Sequence, residues 1–347
     1  IGYLWIQDSA GVSGYMSHKT GAAFFDVANW YNLVVACDTT QNTDTDRLKI
    51  YVNGVLITSF TTATAQTQNN YTGWGAATLH TLGSYATTKT TSNSWRGYLA
   101  ECHFLDGVAI TANSFGEFGD YGKWKPKEYD VSDGAYGTNG FYMNFSNASD
   151  LGEDFSGNNN DYATVSGSAV ATPAQSLDSP TNNFCTLDPM RTTLCGTGDQ
   201  INYGNLELHV NNSGNNILSA GTFAVTSGKW YFEANVAVNY TGSGGIYTQP
   251  EIGLIGVSDE VNDGTAESDR TLVYKTSYDW EGATDNLSGA TFATYDEDDI
   301  IGVAYNADDD EITFYKNNVA QTTTSLQATD SQGMQPLIMN YYGNLSI

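Results

Sequence analysis

A chain of 347 residues with 39 acidic against 13 basic side chains, a formal charge of −26, repels phosphate backbones and anionic membranes, so nucleic-acid binding is close to excluded. With 36 Gly and 23 Tyr against only 6 Pro, and no sustained 3.6-residue apolar period, it reads as all-β, without long helices. No apolar run approaches the roughly 20 residues of a membrane-spanning helix.

Residues 1–111 give strand-like runs in succession: "IGYLWIQD", "GAAFFDV", "WYNLVVACD", "DRLKIYVNGVLITSF", "ATLHTLGSY" and "GYLAECHFLDGVAIT". The fourth is a β-hairpin. Leu48, Ile50 and Val52 alternate with Lys49 and Tyr51, and Asn53-Gly54 supplies the two positive-φ residues of a type I′ turn. Across that turn Val52 should face Val55 and Ile50 should face Ile57, making one side apolar. The order Trp-x-x-apolar, then Tyr-Val-Asn-Gly hairpin, then Gly-Tyr-apolar-x-Glu resembles the laminin-G/concanavalin-A-like family, a two-sheet sandwich. That resemblance places Trp30 and Trp95 on core strands and implies earlier strands ahead of the first residue. The chain opens on "IGYLWIQ" without Met and closes on "YYGNLSI" in a strand-like run, so it reads as a fragment of a larger polypeptide.

Next come "NGFYMNF" (139–145) and "LGEDFSGNNNDY" (151–162), similar to an edge strand and Asx-rich turn that complete the same sandwich. Pro180 and Pro189 bound a polar stretch read as linker. From about 201 the runs "GKWYFEANV", "EIGLIGVSD" and "DDIIGVAYNADDDEITFYKNNV" resemble the SPRY family, another β-sandwich, with Trp230 on a core strand and Asn318 where that family's hairpin turns on Gly. Asn tolerates the left-handed conformation, so the turn should form. The expected architecture is therefore two β-sandwiches: residues 1–170, a linker over 171–200, and residues 201–347.

Chemistry is sparse. The catalytic Glu-x-Asp-x-x-Glu strand of concanavalin-A-like glycosidases is missing, and Glu101 beside His103 reads as a solvated strand face. Ser17 and His18 are adjacent in a strand and so point to opposite faces. "NADDDE" begins like an EF-hand loop, but its sixth position is Glu311 and its twelfth Asn317, so a solvated hairpin turn is the better reading. The acidic surface could recruit Ca²⁺, but no ligands can be named, and no other cofactor is implied. Cys37, Cys102, Cys185 and Cys195 show no CxxC spacing; Cys37 and Cys102 sit in strand-like runs as buried free thiols.

Aromatic residues in Gly/Thr/Asn-rich loops are the candidate binding residues: Tyr71, Trp74, Tyr85, Tyr240, Tyr247 and Trp280. Rings stack on pyranose C–H groups while neighbouring amides bond hydroxyls; pinning of long loops is the competing account. The two sandwiches in series resemble segments of large virion proteins of marine bacteriophages. That resemblance implies a non-enzymatic tail-fibre or appendage segment in the virion, binding a host-surface glycan or protein and other virion proteins as a homo-oligomer. A capsid-decorating or spacer module and a bacterial surface adhesin are the alternatives, with a polysaccharide depolymerase acting through Glu101 last.

Overall fold

The computed structural model describes residues 2–8, 16–24, 26, 29–75, 79–83, 95, 97–163, 175–193, 200–210, 217–238, 251–259, 272–274, 293, 295, 297–326, 329–340 and 343–346. They form strands and four one-turn 3₁₀ segments, divided between two compact units, Ile1–Asn183 and Phe184–Ile347.

The first unit contains β1 (Tyr3–Asp8), β2 (Met16–Ala23), β3 (Leu33–Cys37), β4 (Leu48–Val52), β5 (Val55–Leu56), β6 (Phe60–Thr64), β7 (Cys102–Phe104), β8 (Gly116–Phe118), β9 (Trp124–Pro126) and β10 (Phe141–Met143). They pair antiparallel into the sheets β1-β2-β6, β3-β4-β5, β10-β7 and β8-β9. Strand β4 buries Leu48, Ile50 and Val52 and leaves Lys49 and Tyr51 half-exposed, the period of two that a pleated strand imposes. Met16 of β2 meets Leu48 and Ile50, with Leu4, Ile6, Val35 and Phe60 around them, so the first two sheets face each other across a small core.

The β4–β5 hairpin turns at Asn53 (φ 47°) and Gly54 (φ 77°), with Val52 opposite Val55 and the Ile57 N–H donating to the Ile50 carbonyl at 2.8 Å. Gly54 is required twice over: its φ is left-handed, and a Cβ there would lie 2.2 Å from the Trp124 ring. The partner strand is less apolar in its surroundings than the pattern implies, because Val55 and Leu56 form an exposed sheet edge.

His18 of β2 is buried edge-on to Phe60 at 5.2 Å, its Nδ1 without a hydrogen bond, and burial holds its pKa below 6.5. The folded state thus keeps a neutral imidazole where the unfolded chain takes up a proton. This contribution to stability is complete above pH 6.5 and shrinks as pH falls below it, by at most about 1.4 kcal/mol per pH unit. Urea midpoints of the His18→Asn variant should change less between pH 7.5 and 5.5 than those of the unaltered chain; equal slopes would remove His18 as the cause.

Residues 139–162 fold back onto the unit through β10. Register Phe141↔Phe104, Tyr142↔His103 and Met143↔Cys102 joins it to β7. Behind β10 the buried Asp154 carboxylate accepts the backbone N–H groups of Tyr142 (2.8 Å), Ser156 (2.8 Å) and Asn160 (2.9 Å) and the Ser156 hydroxyl (2.9 Å). Asn158 and Asn160 both donate to the Gly140 carbonyl, at 2.9 and 2.8 Å. The Asx-rich segment is a clamp on the chain entering β10.

The second unit contains β11 (Leu187–Thr192), β12 (Gln200–Asn202), β13 (Glu207–Val210), β14 (Ile217–Gly221), β15 (Lys229–Val238), β16 (Glu251–Gly256), β17 (Leu272–Tyr274), β18 (Ile300–Asn306), β19 (Glu311–Lys316), β20 (Val319–Ser325), β21 (Met334–Asn340) and β22 (Gly343–Ser346). They make a five-stranded sheet, β11-β14-β21-β16-β17, and a seven-stranded one, β12-β13-β22-β15-β18-β19-β20. Ala234, Val236, Ile301, Val303, Tyr305, Ile312 and Phe314 of the larger sheet pack with Ile217, Ile252, Leu254 and Ile338 of the smaller, the interior of a sandwich. The β19–β20 hairpin turns on Asn317 (φ 48°) and Asn318 (φ 64°), so Asn does serve where Gly was the family norm.

Three readings are corrected. Part of the expected linker is strand β11, whose register shifts between Leu187 and Thr192, where Pro189 sits without needing a ladder N–H. Trp95 is 61% exposed and Trp230 47% exposed, so neither is core. Trp230 begins β15 and turns its Nε1 to the Ser227 carbonyl at 2.8 Å, while half-buried Trp30 donates to Asp178 at 3.3 Å. Cys37, Cys102 and Cys185 are free thiols, half-buried rather than buried; partial burial still pushes the first two up to about 11 and also raises Cys185. Cys195 lies outside the described residues.

Candidate functional site

The outer face of the seven-stranded sheet carries the side chains that the sandwich core leaves out. Tyr231, Glu233 and Asn235 of β15 alternate with core residues, and the register sets Tyr231↔Ala304↔Thr313↔Thr323 in one row and Glu233↔Gly302↔Tyr315↔Ala320 in the next. Tyr231 is 52% exposed and lies across Gly302, whose missing Cβ would fall 2.3 Å from the phenol oxygen. That hydroxyl donates to Glu233 Oε1 at 2.8 Å. Burial, then the Glu233 hydrogen bond and charge, push the Tyr231 phenol up to about 12, so it remains a donor at neutral pH. The Tyr315 ring stands at 78° to Tyr231 with centroids 6.1 Å apart, an edge-to-face corner. Beyond it the Thr313 and Thr323 hydroxyls bond at 2.7 Å.

In the first unit, the loop aromatics take different positions. Tyr71 is 78% exposed, and its carbonyl accepts Gln66 Nε2 at 3.1 Å. Trp74 is half-buried against the Met16–Leu48–Ile50 core, in a turn that the Gly73 N–H ties to Asp8 at 2.7 Å. Tyr85, Tyr240, Tyr247 and Trp280 lie outside the described residues. Sequence reasoning passed over Tyr3 and Trp5, which share the outward face of β1, Trp5 57% exposed, with Lys19 Nζ 4.7 Å and 6.0 Å from their ring centres. Alternation in "YLWIQ", with Leu4 and Ile6 inward, is the signal that could have found them.

Glu101 and His103 do not form an open strand face. Glu101 takes a left-handed φ of 50° just ahead of β7, and His103 is buried against Tyr142, rings parallel at 4.2 Å. His103 Nδ1 lies 2.9 Å from the Tyr136 hydroxyl, and Nε2 lies 3.9 Å from Glu101. The His103 hydrogen bond holds the Glu101 carboxyl below its ordinary range, while burial pushes Tyr142 up to about 12 and raises Tyr136 further. Phe115 and Tyr129 complete a ring of aromatics around the imidazole. The arrangement holds the β7–β10 pair together and keeps its phenols protonated. The acidic stretch 306–310 is the β18–β19 turn: Asp308 accepts the Gly228 N–H at 2.8 Å and Asn306 donates to Asp309 at 2.7 Å.

The family comparison falls on the unit that carries the tyrosine corner: the SPRY domain model matches from the first residue of β15 to the last of β22. Residues 229–346 form a SPRY domain. The chain is also similar to the SPRY domain of human HERC1, at 16% identity over 46% of this chain and 95% of that one, with a TM-score of 0.33. A further human SPRY domain gives 17% identity over 43% of this chain and 96% of its own, also at 0.33. No curated protein matches the chain.

Proposed function

We propose that the chain is a non-catalytic binding protein whose SPRY domain holds a protein partner, in series with a laminin-G-like unit. The observation that carries this reading is the SPRY match over residues 229–346, a β-sandwich family of protein-interaction modules. The setting we propose is a virion appendage, homo-oligomeric and directed at a host surface, where repetition multiplies weak single-site affinity. Exposed Tyr71, Tyr3 and Trp5 give the first unit rings on which a surface glycan could stack.

The test is binding of the labelled chain to bacterial surface fractions, intact, protease-treated and periodate-treated. Loss on protease treatment is the expected result for the SPRY domain. Loss only on periodate treatment would move recognition to a glycan, and binding to none of the fractions would favour the spacer or decoration role.

A further inference from the structure

We propose that the corner formed by Tyr231, Glu233 and Tyr315 captures a lysine or arginine side chain from a basic segment of the SPRY domain's protein partner. This rests on the protein-binding reading above and names the chemistry of its partner. Two phenol rings meeting at 78° offer π faces in two directions, and each face attracts a cation through its quadrupole. The exposed Glu233 carboxylate sits at the foot of the corner, fixed by the Tyr231 hydroxyl, so an ammonium or guanidinium over either ring also gains an ionic hydrogen bond. Gly302 lies beneath the Tyr231 ring and carries no side chain, so nothing on β18 stands between that ring and Tyr315, and a guest side chain would lie over the rings.

Charge decides the sign of the guest. Lys316, at the end of β19, is paired with Asp299 at 2.9 Å, and the exposed Lys229 shares the outward face of β15 with Tyr231 and Glu233, with Tyr231 between it and Glu233 along the strand. Glu311 shares the outward side of β19 with Thr313 and Tyr315. A chain of charge −26 repels an acidic partner at long range, and Glu233 repels a carboxylate at contact.

The test titrates the full chain with a hexalysine peptide, and with the same peptide fully acetylated, by calorimetry at 0.15 M salt. Hexalysine should bind and the acetylated peptide should not. Glu233→Gln and Tyr315→Ala should each weaken hexalysine at least fivefold and Tyr315→Phe less than twofold. Asp309→Asn, an equal charge change in the β18–β19 turn, should also cost less than twofold. Equal losses for Glu233→Gln and Asp309→Asn would overturn the site in favour of diffuse attraction, as would indifference to Tyr315→Ala. Glu233→Gln alters only an exposed carboxylate, so it remains informative if Tyr315→Ala fails to fold. Protease-sensitive surface binding that survives Glu233→Gln would overturn this corner while leaving the SPRY domain as the binding module. Absence of surface binding by the unaltered chain would overturn the module instead, and the peptide titration would still judge the corner.

Discussion

Phe314→Ala should cost the SPRY domain about 3–5 kcal/mol, the range for emptying a fully buried phenylalanine site. Phe314 has no solvent exposure and lies in β19 with Val303 opposite it on β18. Both strands belong to the middle of the seven-stranded sheet, hydrogen-bonded on each side, so neighbouring backbone cannot collapse inward to fill the gap. A domain of this size commonly has only about 5–15 kcal/mol to lose, so the change takes a large share. Urea unfolding followed by circular dichroism should show one transition moved to much lower denaturant while the transition of the first unit stays in place. A shift worth less than about 1 kcal/mol would mean that the core repacks around the missing ring.

Asp154→Asn should destabilise the first unit by about 3 kcal/mol. Burial alone would raise this carboxyl's pKa, yet the N–H groups of Tyr142, Ser156 and Asn160 outweigh it and hold the group below 3.8. The amide replaces one acceptor oxygen with a donor, so two of the four donors now facing the carboxylate meet N–H instead of oxygen; buried donors left unpaired cost about 1–3 kcal/mol each. Because the folded pKa is depressed, the stabilisation is present above pH 3.8 and lost as pH falls below it, a window well separated from that of His18. Hydrogen exchange at the Tyr142, Ser156 and Asn160 amides is the direct readout. Unchanged exchange at all three would show that the loop holds β10 by other means.

Hairpins were the most legible features of the sequence, because their information is local. The alternation in 48–52 and the Asn-Gly pair set one turn, and the ladder from Glu311 to Lys316 followed by two asparagines set the other. Long-range placement was not legible in the same way. Trp95 and Trp230 sit in runs that look like buried strands, but whether an aromatic at a strand's start is covered depends on the element opposite it, and nothing near it in sequence says so. Pro189 looked like a breaker, and in the middle of a sheet it would be one. On the outermost strand of the five-stranded sheet, at a register shift, its missing N–H costs nothing.

The candidate site followed the same division. Loop composition singled out Tyr71 and Trp74, but burial separates an exposed ring from one that closes the first unit's core. The Tyr231–Tyr315 pair comes from strands more than eighty residues apart in sequence, brought together only by their shared neighbour β18. Glu101 and His103 were visible as neighbours, whereas the tyrosines that enclose them come from a later segment returning through β10.

The half-buried thiols give the protein built-in reporters of its own opening. A thiolate is the reactive form, and a pKa near 11 leaves Cys37 and Cys102 almost wholly protonated at neutral pH. Alkylation of either should therefore be slow in the folded chain and speed up when the segment around it comes loose and regains an ordinary thiol's acidity. Cys37 and Cys102 would time the opening of the first unit, at β3 and β7 separately, and Cys185 that of the second. Reagent uptake read cysteine by cysteine would then rank how easily different parts of one chain breathe, without any added probe.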